Sequence, residues 1–205
     1  MRTDFVTGDP DVNPYRLLTA VVVPRPIAWV STVSPDGVVN LAPHSFYTVA
    51  CARPPIVQFS SVGKKDTLRN VLATGEFVVN LATAPLLHEV NDSAARFAPD
   101  VSEPDALGIA LEPSATVRPP RVVRSPVSIE CTLHSTNELG DSTVVLGEVR
   151  VISVDERVLV DGHPDFTLLD PLTRLGRDEW SLHAEVVSVP RPARPEDIRP
   201  GRIGP

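Results

Sequence analysis

Proline sets the outer limit on what this chain can fold into. The sequence holds 22 prolines in 205 residues, about twice the ~5% share usual in globular proteins. Each one fixes φ near −65° and removes a backbone donor, so long helices are disfavoured and many short segments joined by fixed turns are expected. The apolar pattern agrees. Val127-Ser128-Ile129-Glu130-Cys131-Thr132-Leu133 alternates cleanly and puts Val127, Ile129, Cys131 and Leu133 on one face, as in a half-buried antiparallel strand.

The remaining segments are short. Asn13 as N-cap and Pro14 in the first turn predict a helix to Ala20. Ile27 to Val33 is β-rich, and Ser34-Pro35-Asp36-Gly37 places Pro and Gly where a tight turn wants them, so Val38 to Leu41 returns antiparallel. Phe46 to Ala50 and Ile56 to Phe59 read as strands on either side of Arg53-Pro54-Pro55. Asp66 to Thr74 carries Leu68, Val71 and Leu72 on one face and stops at Gly75, predicting a helix, after which Phe77 to Leu81 is strand. Thr83 and Pro85 open a second helix with Leu86, Leu87, Val90, Ala94 and Phe97 facing the core. Thr143 to Val154 is rich in β-branched residues and changes phase between Val151 and Ile152, which predicts a bulge. Asn137 to Ser142 links it to the 127–133 strand as a hairpin, and Trp180 to Val189 is the expected closing strand. Six or more short strands without a βαβ rhythm favour a small closed antiparallel barrel over a parallel sheet.

Length and charge narrow the function. A chain of 205 residues suits one domain burying roughly two-thirds of its unfolded surface. No apolar run approaches the ~20 residues of a membrane helix, and Met1 to Pro10, with Asp4 and Asp9, has neither a signal-peptide nor a transit-peptide pattern. The cytoplasm is the expected compartment. A net charge of −7 argues against broad nucleic-acid binding, which needs a basic face. Cys51 and Cys131 lie outside any CxxC pattern and read as reduced, buried thiols. The tail from Pro190 to Pro205, rich in Pro and Arg, is expected to be extended or disordered, or to cross onto a partner subunit.

GxGxxG, GxxxxGK, HExxH and GxSxG are all missing, and the five histidines have no mutual ligand spacing, so Rossmann, P-loop, metal and acyl-transfer chemistry lack support. Two segments remain. Lys64-Lys65-Asp66-Thr67 opens a helix whose free N–H groups, positive dipole end, lysines and threonine hydroxyl suit a phosphate. Asp66 opposes that unless its carboxylate turns away, and an ordinary capped helix start has the same composition. In Asn40 to Phe46, Ala42-Pro43 interrupts a strand, leaving backbone groups for a planar heterocycle or marking a simple kink. Trp29 reads as a core anchor.

Taken in order, RPIAWVST (25–32), NLAPHSFY (40–47), RPPIV (53–57), SSVGKKDTLRN (60–70), GEFVVN (75–80), VLGEVRVI (145–152) and PLTRLGRDEW (171–180) make the chain resemble the flavin reductase-like, FMN-binding split-barrel family over most of positions 14–192. The resemblance implies a mainly β fold, a six-stranded antiparallel Greek-key split barrel over 14–189, between an N-terminal extension (1–13) and the tail. It implies a homodimer with FMN near the interface and NADH or NADPH as donor, nicotinamide stacking on flavin and passing hydride to N5, with an oxygenase as a possible acceptor. Carried over by position, Ala42, Pro43, His44 and Ser45 meet the ring and ribityl chain. Ser60, Ser61, Lys65 and Thr67 hold the phosphate end, Ser31 and Thr32 flank the ring, and Arg25 is a further phosphate candidate. No catalytic side chain is implied; His134 and His183 are candidate proton donors to the flavin, with a satisfied structural role the favoured reading of each. An FMN electron carrier or a flavin-free binding barrel also fits. Where relatives read RLGGxxY, this chain has Arg177 and Trp180 in place of a glycine and a tyrosine, which bears on ring stacking and the entrance.

Overall fold

The computed structural model describes residues 1–197. Its strands are β1 (Arg25–Pro26), β2 (Ala28–Val33), β3 (Val39–His44), β4 (Tyr47–Ala52), β5 (Pro55–Val62), β6 (Glu76–Leu81), β7 (Leu111–Glu112), β8 (Arg121–Val122), β9 (Val127–Leu139), β10 (Ser142–Val154), β11 (Leu159–Val160), β12 (His163–Pro164), β13 (Thr173–Arg174) and β14 (Trp180–Ser181). The helices are α1 (Pro14–Val21), α2 (Asp66–Thr74), α3 (Leu87–Asp92), α4 (Glu103–Leu107) and α5 (Phe166–Leu169).

Seven strands form one antiparallel sheet in the order β3-β2-β6-β9-β10-β5-β4. Its two outermost members are joined through only Ser45 and Phe46, and the Ser60 amide donates to the Phe46 carbonyl at 2.9 Å. The sheet therefore curls back on itself as a barrel, with seven strands rather than the six expected. The extra strand comes from β3 and β4, which stay distinct. The expected interruption at Ala42-Pro43 does not occur: Pro43 stays in register opposite Trp29, and because β3 is an edge strand its missing donor breaks no ladder bond.

Local chemistry explains the element ends. Asn13 accepts from the Arg16 amide (3.1 Å) ahead of Pro14, and Gly75 closes α2 in the left-handed region at φ 73°. The β2–β3 turn closes with Gly37 N donating to Ser34 O (3.0 Å). The β9–β10 ladder slips between Leu146 and Gly147 and again between Val149 and Val151, the second slip close to the predicted bulge. Both strands run past the expected 133–143 limits to a two-residue turn at Gly140-Asp141, because the ladder continues as an exposed ribbon beyond the core.

The core has two halves. Val30, Phe59, Phe77, Val79, Cys131 and Val145 fill the barrel, whereas Trp29, Leu41, Leu86, Val90 and Leu172 pack outside it. Alternate residues of β2 serve each half, which is why AWVSTV carries no solvent-facing stripe. Trp29 is the expected anchor, fully buried with Nε1 donating to Ser93 Oγ at 2.9 Å. Both cysteines are free thiols, Cys131 buried and Cys51 half-buried on β4.

Two expected elements are shorter than predicted. The second helix ends at Asp92, since Ser93 turns to serve Trp29; Ala94 is exposed and Phe97 only half-buried. The closing strand is only Trp180–Ser181, because among the described residues no further strand lies beside β14 at the edge of the β1-β13-β14 sheet. Residues 182–194 are irregular and exposed, with a 3-10 turn at Pro195–Asp197; the rest of the tail, 198–205, lies outside the described residues. Among the described residues no helix is long and apolar enough to cross a membrane.

Candidate functional site

The α2 N-terminus is built unlike a self-sufficient helix start. Lys65 occupies the N-cap with extended backbone (φ −88°, ψ 174°), and no side chain caps the turn. Ser, Thr, Asp or Asn there would accept from the first amides, which an ammonium cannot do. The first intrahelical bond runs from Arg69 N to Lys65 O at 3.0 Å. The preceding amides of Asp66, Thr67 and Leu68 therefore lack helical partners and keep their partial positive charge. Asp66 does not obstruct them: its carboxylate pairs along the helix with Arg69.

These groups open into a groove of about 550 Å³. One wall is β3, through Asn40, Ala42, Pro43 and His44; the other is the 93–97 turn after α3. Lys64, Lys65, Arg69 and Arg96 face Asp66 and Glu103 around it, a local cationic surplus in a chain of net charge −7.

A buried polar network fixes the groove floor. The Asn40 amide is best satisfied with its nitrogen donating to Glu103 Oε1 (3.3 Å) and its oxygen accepting from Thr67 Oγ1 (3.0 Å). Glu103 Oε2 accepts from Leu41 N at 3.0 Å, occupying the free edge of β3. Burial holds the Glu103 carboxyl above the usual range, against the lowering effect of that bond. The Thr67 hydroxyl proton is thus spent on Asn40, so Thr67 can offer an anion only its backbone amide.

His44 forms the far end of the floor. Its Nδ1 lies 3.4 Å from the Ser60 carbonyl, its ring stands 4.7 Å from Phe59, and its buried Nε2 has no partner. Burial depresses its pKa to about 4, so the ring is neutral near pH 7.

Of the residues predicted for a ligand, Ala42, Pro43, His44, Lys65 and Thr67 share this groove. Ser45, Ser60 and Arg25 line a separate apolar hollow of about 440 Å³ between α1 and β4. The Arg25 guanidinium is itself buried, donating to the carbonyls of Thr19, Val22 (3.2 Å) and Leu175 (2.8 Å). Three hydroxyls turn inward instead: Ser31 donates to Pro120 O, Thr32 accepts from Asn70 (3.0 Å) and Ser61 donates to Gly63 O (3.0 Å). Arg177 and Trp180 lie outside the groove; Arg174 stacks 4.4 Å above the Trp180 ring. His134 and His183 are exposed elsewhere, on Ser135 and Asp170.

Sequence reasoning missed Glu103, the Arg96 wall and the bridging role of Asn40. Only Asn40 carried a signal, as a polar residue inside an apolar strand pattern. Arg96 reaches the site from the irregular chain after α3 and Glu103 from the first turn of the short helix α4, placements that no periodicity encodes.

The donor set, uncapped amides with lysine and a cationic rim, fits a phosphate monoester, and the groove continues from it along β3. Comparison with known proteins identifies the family. A family model described as flavin reductase like domain matches residues 20–169. An uncharacterized protein of Aquifex aeolicus is 36% identical over 180 residues, 84% of this chain and 92% of that protein. The flavin-dependent monooxygenase reductase subunit HsaB of Mycobacterium tuberculosis is 32% identical over 150 residues, 71% of this chain and 76% of its own. The crystal structure of nitrilotriacetate monooxygenase component B from Bacillus cereus superposes with a TM-score of 0.83 at 27% identity, covering 92% of this chain and all of that one (100%).

Proposed function

The chain belongs to the flavin reductase-like family and has its mainly β split-barrel fold, and on that premise we propose that it binds FMN and reduces flavin with NADH or NADPH. The observation that carries this reading is the uncapped α2 start, with Lys65 as its N-cap residue, opening onto a groove floored by Ala42, Pro43 and His44. Bound FMN supplies the hydride-accepting chemistry, at its N5. The protein's work is to hold and orient. Lys65 and the free amides of Asp66 and Thr67 would hold the phosphate, and the β3 segment Ala42–His44 would support the ribityl chain and ring. Neutral His44 adds no cation to the floor, and Glu103 with Asn40 keeps β3 at a fixed distance from α2.

In this reading reduced flavin serves a partner oxygenase, as the relation to a monooxygenase reductase subunit supports. Two copies pair, and the protein works in the cytoplasm, where reduced nicotinamides are available. The test is anaerobic mixing of purified protein and FMN with NADH or NADPH while flavin absorbance is followed. Rapid bleaching is expected. FMN retained through gel filtration but left oxidised by both nicotinamides would replace this reading with an electron carrier; failure to retain or reduce FMN would remove flavin altogether.

A further inference from the structure

We propose that the His44 side chain fixes the orientation of the ligand's ring, its Nε2 accepting a hydrogen bond from the imide N–H of a bound isoalloxazine. The inference rests on the FMN reading above and deepens it by assigning one specific side-chain bond to the groove floor.

The surroundings of the imidazole decide what Nε2 can do. The Ser60 carbonyl, 3.4 Å from Nδ1, can only accept, so Nδ1 carries the single proton of the neutral ring. Nε2 is left as a bare lone pair. It is buried, and it is one of two buried side-chain atoms without a hydrogen bond among the described residues. The other, Arg121 Nε, at least stands 2.8 Å from the Glu112 carboxylate. His44 Nε2 has no such counterpart, and native proteins leave few buried acceptors in that condition.

The missing donor belongs on the groove side. Asn40, Ala42 and His44 share one face of β3, because successive residues of a strand alternate. On that face Asn40 touches Thr67 of α2 at 3.0 Å, Ala42 lines the groove, and His44 ends the same wall. Leu41, on the opposite face, packs in the outer half of the core. Towards the barrel the imidazole is already engaged, by the Phe59 ring at 4.7 Å and by the β5 carbonyl on Nδ1.

Position along β3 selects the ring over the chain that carries it. His44 stands four residues beyond Asn40, about 13 Å of strand. That is further than a five-carbon ribityl chain and its ester linkage extend from a phosphate seated at Thr67. What reaches His44 is the isoalloxazine, whose sole ring N–H in the oxidised state is the imide. An atom that only accepts pairs with that group and disfavours the carbonyls flanking it, so it sets which edge of the ring enters. A site built around such a bond rejects an analogue that lacks the donor.

Titration of the ligand-free wild type and His44→Phe with FMN and with N3-methyl-FMN, followed by flavin fluorescence, tests the contact. Phenylalanine keeps an aromatic ring against Phe59 and removes the acceptor. The wild type is expected to bind FMN roughly 5- to 150-fold more tightly than the methylated analogue, the cost of leaving a buried acceptor unpaired. His44→Phe should bring that ratio towards one. A second readout needs no variant: with histidine nitrogens isotope-labelled in the wild type, the His44 Nε2 resonance should move upfield on adding FMN and stay in place with N3-methyl-FMN. A wild-type ratio near one, a ratio that His44→Phe leaves unchanged, or a resonance that responds alike to both ligands overturns the contact while FMN binding stands. A wild type that binds neither flavin overturns the contact and the FMN reading together.

Discussion

Lys65→Ser separates the stability of α2 from its use. Lys65 already has the extended backbone of an N-cap residue (φ −88°, ψ 174°), so serine fits without rearrangement and its hydroxyl accepts from the Thr67 or Leu68 amide. A cap at such a site is worth about 1 kcal/mol, which for a chain of this size raises Tm by roughly 2–4 °C. The same substitution removes an ammonium and occupies an amide that the proposed function gives to the phosphate. Losing one hydrogen bond to a charged group costs about 1.5–3 kcal/mol, so the FMN dissociation constant rises about 10- to 150-fold. Riboflavin, which lacks the phosphate, binds both proteins alike. Lys65→Met, which takes the charge without giving a cap, weakens FMN without raising Tm. Differential scanning calorimetry of the ligand-free proteins and fluorescence titrations with FMN and riboflavin give all the numbers. A lower Tm for Lys65→Ser, or an equal loss of affinity for both flavins, refutes the reasoning.

Three further outcomes follow from buried groups. Gly147→Ala places a Cβ 2.2 Å from Phe77 Cζ and 3.0 Å from Cys131 Cβ inside the barrel; calorimetry should show a loss of about 2–3 kcal/mol, and an unchanged Tm means that Phe77 has room to move. His44 has a folded pKa of about 4 against an ordinary 6.5. The unfolded chain therefore binds the extra proton between those values, and stability, full above pH 6.5, declines as pH falls toward 4. Urea titrations of His44→Phe should lose that slope, and retention of it assigns the slope to another group. Burial pushes the Glu130 carboxyl up, but bonds from Thr116 Oγ1 (2.6 Å) and the Ala115 and Thr116 amides (both 2.7 Å) outweigh it and bring the pKa below the ordinary 4.5. Its contribution is present above 4.5 and fades as pH falls through the lower folded value; Glu130→Gln should cost about 2–4 kcal/mol at pH 7 and flatten the most acidic part of the profile, and a loss under 1 kcal/mol would mean that the 115–116 loop finds other acceptors.

The parts of this fold governed by local rules were readable in advance. The Asn13–Pro14 helix start, the Pro35–Gly37 turn and the Gly75 stop each rest on one or two residues whose backbone preference nothing distant overrides. Pro43 was different. Its effect depends on whether its strand lies at an edge, which is a property of the whole sheet. The length of the 127–139 and 142–154 ribbon depends likewise on pairing beyond the core, where no burial pattern marks the register. At the site, Lys65 and Thr67 were legible because a helix start is a local event. The internal use of Ser31, Thr32, Ser61 and Arg25 was not, since each is satisfied by a carbonyl or amide that the sequence alone leaves unplaced.

The Arg25 guanidinium has a consequence for how the protein is made. Its bonds join the end of α1 to the Leu175 carbonyl, 150 positions further on. A ribosome adding about 5–20 residues per second delivers Leu175 roughly 8–30 s after Arg25. Until then the amino-terminal helix has no latch, and a nascent chain truncated before Leu175 should leave α1 open to protease while the completed chain does not.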